Sequence, residues 1–237
     1  KGYPISVVSG TKTNNDTVQL KMTDLKAGVA VKNLDNSKEY EWGELQAPEG
    51  YDLSTKRIKV QFDKNDKFDS KTNNYVDSVI ATDKPLDYSF GFIKAQDVNG
   101  SHTGLNGRTF RYTPTNGTKG EPIEVTSKAT EDSNGVTNNG QVNFTKIPFG
   151  DGLLEELPQE GDTLQLINPI SIVTTTNKDK DGNITGYTVT FTDTVTKQVI
   201  TTLDVTTTKV TDNSTMFNVN LGTLVDKPVT PVVPTIK

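Results

Sequence analysis

The stretch Tyr40-Glu41-Trp42-Gly43-Glu44-Leu45-Gln46-Ala47-Pro48-Glu49-Gly50-Tyr51 reads as a β-strand running into a turn. Successive strand side chains point to opposite faces, so Tyr40, Trp42 and Glu44 share one face. Two large aromatics mark that face as buried. Glu44 is then a carboxyl aimed at an apolar layer, where its charged form is disfavoured. Pro48 and Gly50 end the strand. A carboxyl so placed requires a partner elsewhere in the chain.

The bulk composition fits a β-protein with more than one core. The 237 residues suffice for one large or two ordinary domains, and a hydrophobic content of 32% is thin for one large core but adequate for two β-domains. Thr, Val, Asn, Asp and Gly dominate, which favours strands joined by polar turns. The net charge of −5 is spread without long blocks, which argues against nucleic acid as a partner. No run is long enough for a membrane span and no signal peptide is visible, so the start at Lys1 is expected to be that of a processed or excised fragment. With no cysteine, disulfides, thiolate catalysis and cysteine metal sites are excluded. A single histidine, His102 in a Gly-Ser-His-Thr-Gly loop, gives a catalytic triad or zinc site almost nothing to build on. No metal and no cofactor is expected.

Read in order, the chain divides in two. Residues 1–83 form a first unit with strands at 5–8, 17–22, 29–31, the organising strand, 57–62 and 76–83, and a charged loop at 63–74. Residues 84–87, Lys-Pro-Leu-Asp, read as a linker stiffened by proline. Residues 88–227 form a second unit that opens with Tyr88-Ser89-Phe90-Gly91-Phe92-Ile93-Lys94. Here Lys94 lies in line with Phe90 and Phe92, the cationic counterpart of the misplaced glutamate. A turn-rich loop (96–107), a strand (109–112), a long polar insertion (113–139) and a strand (141–147) follow. Gly152-Leu153-Leu154-Glu155-Glu156 then repeats the organising pattern, with Gly152, Leu154 and Glu156 in the places of Tyr40, Trp42 and Glu44. Strands at 170–175, 186–193, 197–203 and 217–226 complete the unit, the last placing Leu224 and Asp226 on one face. Each unit ends in Asp-Lys-Pro, at Asp83-Lys84-Pro85 and Asp226-Lys227-Pro228, as in an internal repeat. Residues 228–237 alternate Pro with Val and Thr and read as an extended linker. The run 177–183 is like the start of a calcium loop, but position twelve is Thr188 rather than Glu, and a hairpin turn is the better reading. The threonines at 201, 202 and 206–208 suit a solvated sheet face.

Leu34 through Tyr51, with its Glu44-Leu45-Gln46-Ala47-Pro48-Glu49-Gly50-Tyr51 ending, resembles the B-type repeat domains of Gram-positive collagen adhesins and pilins, which have a prealbumin-like fold. Phe90-Gly91-Phe92-Ile93-Lys94 and the later Gly104-Leu105-Asn106-Gly107-Arg108-Thr109-Phe110 resemble the first strand of such a domain and the segment after it. The second unit departs from the pattern after Glu156, where Leu-Pro-Gln-Glu-Gly-Asp lacks the final Tyr. Glu155 is therefore a rival for its role, although alternation favours Glu156. The resemblance implies an all-β chain of two tandem Ig-like or prealbumin-like β-sandwich domains. It also implies an intramolecular isopeptide bond, in which a first-strand Lys joins a last-strand Asn or Asp with help from a middle-strand Glu. In the second unit the matching residues are Lys94, Asp226 and Glu156. In the first, Glu44 and Asp83 match, but the lysine-bearing strand would precede Lys1, because residues 2–8 match 107–112.

The physics suits these residue types. A lysine desolvated among aromatics has a nucleophilic neutral amine, and a carboxylic acid in the same pocket stays protonated. The glutamate would shuttle protons. The same three side chains could instead form a buried salt bridge. What the resemblance implies for function is a non-enzymatic, extracellular, cell-wall-attached stalk, pilin or adhesin segment, with neighbouring surface-protein or pilin subunits as partners. One alternative is a module that recognises host matrix protein or glycan through its loops. Another is a secreted carboxylate enzyme such as a glycoside hydrolase.

Overall fold

The structure, a computed structural model, describes residues 5–8, 29–32, 40–43, 47–60, 67–69, 74–76, 84–207 and 215–229. Every regular element among them is a β-strand, as the composition led one to expect. The chain forms two compact units, Lys1–Pro48 with Thr55–Thr82, and Glu49–Ser54 with Asp83–Lys237.

The first unit contains β1 (Ile5–Val8), β2 (Val29–Lys32), β3 (Tyr40–Gly43), β4 (Arg57–Val60), β5 (Lys67–Asp69) and β6 (Asn74–Val76). β1 pairs with β2 in parallel. β3 pairs with β4 in antiparallel fashion, setting Trp42 opposite Ile58. β5 and β6 pair within and just beyond the expected charged loop, with Phe68 opposite Tyr75. The expected strand at 17–22 and most of the one at 76–83 lie outside the described residues, as do Glu44 and Asp83.

The second unit contains β7 (Asp87–Val98), β8 (Ser101–Gly104), β9 (Thr109–Pro114), β10 (Ile123–Thr126), β11 (Lys128–Glu131), β12 (Thr137–Pro148), β13 (Gly152–Glu156), β14 (Leu164–Gln165), β15 (Ile170–Lys178), β16 (Ile184–Asp193), β17 (Val199–Thr206) and β18 (Thr215–Pro228). One sheet has the order β10-β9-β13-β15-β16-β17 and the other β11-β12-β7-β18-β14, with β8 also on β7. Aromatics from the inner faces mesh to form the core. Phe92 meets Phe110 edge-on at 4.9 Å, and Phe90 meets Phe191 edge-on at 5.5 Å between ring centres. This is a β-sandwich.

Two stretches that read as loops are folded. Residues 96–107 hold the end of β7 and the whole of β8, joined by an Asn99-Gly100 turn with φ of 52° and 84°. That pair of positive φ values is what a two-residue hairpin of this kind requires. His102 is exposed on β8 rather than in a loop. The insertion 113–139 holds β10, β11 and the start of β12, strands too short to register as periodic. Residues 84–87, expected as a linker, are hydrogen-bonded into this unit. Leu86 is buried and its N–H donates to Gly50 O at 2.8 Å, while Asp52 N–H donates to Lys84 O at 3.0 Å.

Two irregularities set which residues face inward. β7 alternates plainly, with Tyr88, Phe90, Phe92 and Lys94 all buried. β18 does not, because between Asn220 and Thr223 it has two residues against one on β7. Leu221 and Asp226 both face inward although five positions apart, which plain alternation forbids. Gly222, at φ 83°, occupies the bulge. β12 has a similar shift between Phe144 and Ile147, where Lys146 takes φ 55°.

Candidate functional site

β7 and β18, the first and last strands of the sandwich, lie side by side in parallel. Lys94 stands on the inner face of β7 for the same reason as Phe90 and Phe92, two residues apart along one face. Asp226 stands on the inner face of β18 because of the bulge. Glu156 ends β13 in the opposing sheet, after the buried Gly152 and Leu154. The three expected residues of the second unit are thus brought together in the core, with Lys94 and Asp226 at 0% exposure and Glu156 at 6%.

Lys94 Nζ donates to Glu156 Oε2 at 2.9 Å and to Asp226 Oδ1. The ammonium also lies 5.8 Å from the centre of the Phe110 ring, within cation–π range. Asp226 Oδ2 is buried and accepts no hydrogen bond. Glu155, the rival, is half-buried opposite Arg111 in the β9–β13 ladder and takes no part in the cluster.

The two carboxyls differ in environment. Burial pushes Asp226 up to about 6, against the pull of Lys94, and the nearby Glu156 adds to the rise. Burial also raises Glu156, but hydrogen bonds and charge from Lys94, then Arg108, then the Ile167 amide outweigh it and hold this carboxyl below its ordinary value. The expectation of a protonated acid in the pocket therefore fits Asp226, while Glu156 is the ionised partner.

The sequence reading missed a second cation. Arg108, just before β9, is 4% exposed, and its Nε donates to Glu156 Oε1 at 2.7 Å. Its other nitrogens reach Gln159 Oε1 at 3.1 Å and both oxygens of Asp162, with Nη2 to Oδ2 at 3.1 Å. The Asp162 hydrogen bond does most to keep Arg108 charged. A signal was present: Arg108, Phe110 and Tyr112 share one face, the pattern that singled out Lys94.

Elsewhere among the described residues there is no competing centre. The calcium-like run is a hairpin turn in which Asp179 Oδ1 accepts the N–H groups of Asp181 and Asn183, both at 2.9 Å. No cluster among the described residues could hold a metal ion. Among the described residues no helix is long and apolar enough to cross a membrane.

Residues 5–76 match the model of the SpaA prealbumin-like fold domain. No curated protein matches the chain. Among solved structures, a C-terminal fragment of the pilus adhesin SpaC from Lactobacillus rhamnosus GG is 19% identical, with 83% of this chain and 78% of that one covered and a TM-score of 0.39. The minor pilin GBS52 of Streptococcus agalactiae is 16% identical over 65% of this chain and 51% of its own, with a TM-score of 0.30, so this chain spans about half of its length. The shaft pilin SpaA of Lactobacillus rhamnosus GG is 12% identical over 83% and 66%, with a TM-score of 0.26. The resemblance to which the Ala-Pro-Glu-Gly-Tyr stretch pointed is thus met over residues 5–76, which are similar in sequence to the SpaA prealbumin-like fold domain.

Proposed function

We propose that this chain is a load-bearing segment of a Gram-positive surface protein, a pilin or adhesin stalk outside the cell and attached to its wall. In this reading two tandem β-sandwich domains are stiffened by self-made isopeptide chemistry rather than by disulfides. One observation carries it: Lys94 Nζ touches Asp226 and Glu156 with all three groups shut away from water.

Lys94 starts as an ammonium, Glu156 as a carboxylate and Asp226 as a neutral acid. One ammonium proton passes to Glu156, and the freed amine attacks Asp226 Cγ. The Asp226 C–OH bond breaks, and the hydroxyl takes the proton from Glu156 and leaves as water. Glu156 then takes a second proton from the nitrogen, leaving a neutral amide, and holds it or releases it to solvent. Confinement of amine and acid in contact raises their effective concentration to about 10⁵ M or more, which turns a slow condensation into an intramolecular one. No external substrate is consumed, so the chain acts once on itself.

The product would tie β7 to β18 across 132 positions of sequence. Pulling force entering near β7 would pass through the amide to β18 and bypass the strands between them. Neighbouring surface-protein or pilin subunits are the natural partners of such a segment. Recognition of host matrix protein or glycan by the 113–139 insertion has less support, because that segment is built into the two sheets as β10, β11 and β12. Glu44 and Asp83 would perform the same chemistry in the first unit if a lysine is supplied. The test is the intact mass of the denatured protein together with K94A, E156A and D226A. Each variant should regain the water lost by the second unit.

A further inference from the structure

Lys94 Nζ touches two carboxyls, and an amide could in principle form with either. Amide formation expels a carboxyl oxygen as water, so the carboxyl that is attacked must be a neutral acid. A carboxylate whose charge is already satisfied is a poor electrophile. Glu156 is satisfied on both oxygens: Oε1 accepts from Arg108 Nε at 2.7 Å, and Oε2 accepts from Lys94 Nζ at 2.9 Å and from the Ile167 N–H at 3.2 Å. Asp226 has Lys94 on Oδ1 and nothing on its buried Oδ2. When the lysine gives up its proton, Glu156 still has a cation and Asp226 has none.

We propose that Arg108 decides which carboxyl is joined to Lys94, by holding Glu156 as the ionised base and so leaving Asp226 as the carboxyl that the amine attacks. The inference rests on the cross-linking reading above. Arg108 is a positioning residue, acting through Glu156 rather than on the reacting atoms.

Its own placement is fixed from both sides. Its backbone N–H donates to Ser127 Oγ at 2.9 Å, and its carbonyl accepts from Ser127 N–H at 2.8 Å. Ser127 is itself buried and donates from Oγ to Leu105 O at 2.7 Å. The guanidinium is gripped by Gln159 and Asp162, from the segment after β13. Gln159 also donates to Gly107 O at 2.6 Å, next to Arg108 in the chain. The charged groups facing Glu156 are Lys94 from β7, Asp226 from β18 and Arg108 ahead of β9, with Asp162 beyond the guanidinium. Arg108 is the cation among these that the reaction does not consume.

The test is to refold chain kept unfolded since synthesis, at a series of pH values, and to follow bond formation by denatured mass and peptide mapping. Wild type, R108M, R108Q and R108K are compared. R108Q keeps an amide donor toward Glu156 and Asp162, so it serves if R108M does not fold. In the neutral variants, linking should slow at least tenfold, and the acid side of its pH profile should move upward by about one unit or more, the size of an arginine's effect on an adjacent carboxyl. Lys94–Glu156 linked peptides should appear beside Lys94–Asp226. R108K should restore much of the wild-type profile. A folded neutral variant that links Lys94 to Asp226 alone, at the wild-type rate and with an unmoved profile, overturns the role of Arg108. A wild-type chain that loses no water overturns instead the cross-linking reading beneath it.

Discussion

Lys94 lies directly opposite Leu224 in the parallel β7–β18 ladder, yet its ammonium meets Asp226, two residues farther along the same face. The long lysine stem covers that diagonal, provided that Asp226 faces inward. It does so because β18 carries one extra residue between Asn220 and Thr223. G222V disfavours the positive φ that the bulge requires, and plain alternation counted from Leu221 would then turn Asp226 to the outer face and bring Lys227 inward. The denatured mass of that variant should show no water lost in the second unit. A retained deficit with Lys94 and Asp226 still linked would show that the bulge does not place the acid.

Bond formation should fall as pH rises through about 6. Burial raises Asp226 to that value, so below it the group is the neutral acid that can lose hydroxyl as water. Above it the group is a carboxylate, and the reactive fraction drops by at most about tenfold per pH unit. The rate of linking after refolding, measured between pH 5 and pH 8, should show the decline. A rate still rising past pH 7 would mean that release of the lysine proton, not the state of Asp226, limits the reaction.

E156Q should fold, since it keeps the side-chain volume and one acceptor oxygen at the end of β13, but it should not link. Without the amide the unfolded chain regains the freedom of a loop closed between positions 132 apart. On the chain-entropy account that loss of restraint is about 5 kcal/mol of stability. Denaturant unfolding of E156Q against wild type measures it. Equal midpoints would imply that no covalent tie distinguishes the two.

Gly152 on β13 leaves room for the ring of Tyr112, which stands on the neighbouring strand β9 of the same sheet. A Cβ there would lie 2.1 Å from Tyr112 Cε2 and 2.6 Å from Cζ, and that ring is wholly buried. G152A should destabilise the second unit by about 2 kcal/mol or more through overpacking. A thermal melt is sufficient to read it, and an unchanged midpoint would mean that the ring has room to move.

The parts of the site set by strict alternation were legible in the sequence. Lys94 stood in line with Phe90 and Phe92, Glu156 with Gly152 and Leu154, and Asp226 with Leu224, and each faces the core as that pattern requires. Arg108 obeyed the same pattern with Phe110 and Tyr112. It passed unnoticed because a cation just ahead of a strand reads as an exposed loop residue. The bulges were not legible, since an extra residue interrupts the periodicity by which a strand is recognised. The Asn99-Gly100 hairpin was legible from its dipeptide alone, but the polar residues around it resembled a loop. β10 and β11 are four residues each, shorter than the span over which alternation separates from chance. β5 and β6 are shorter still, with one large aromatic apiece.

Whether Lys94 and Asp226 are joined is read from the intact mass of the fully denatured protein. The wild-type chain should be lighter than its sequence by one water for the second unit, with the full mass of that unit restored in K94A. A denatured wild-type chain at full sequence mass would contradict the bond and leave Lys94, Glu156 and Asp226 as a buried salt bridge.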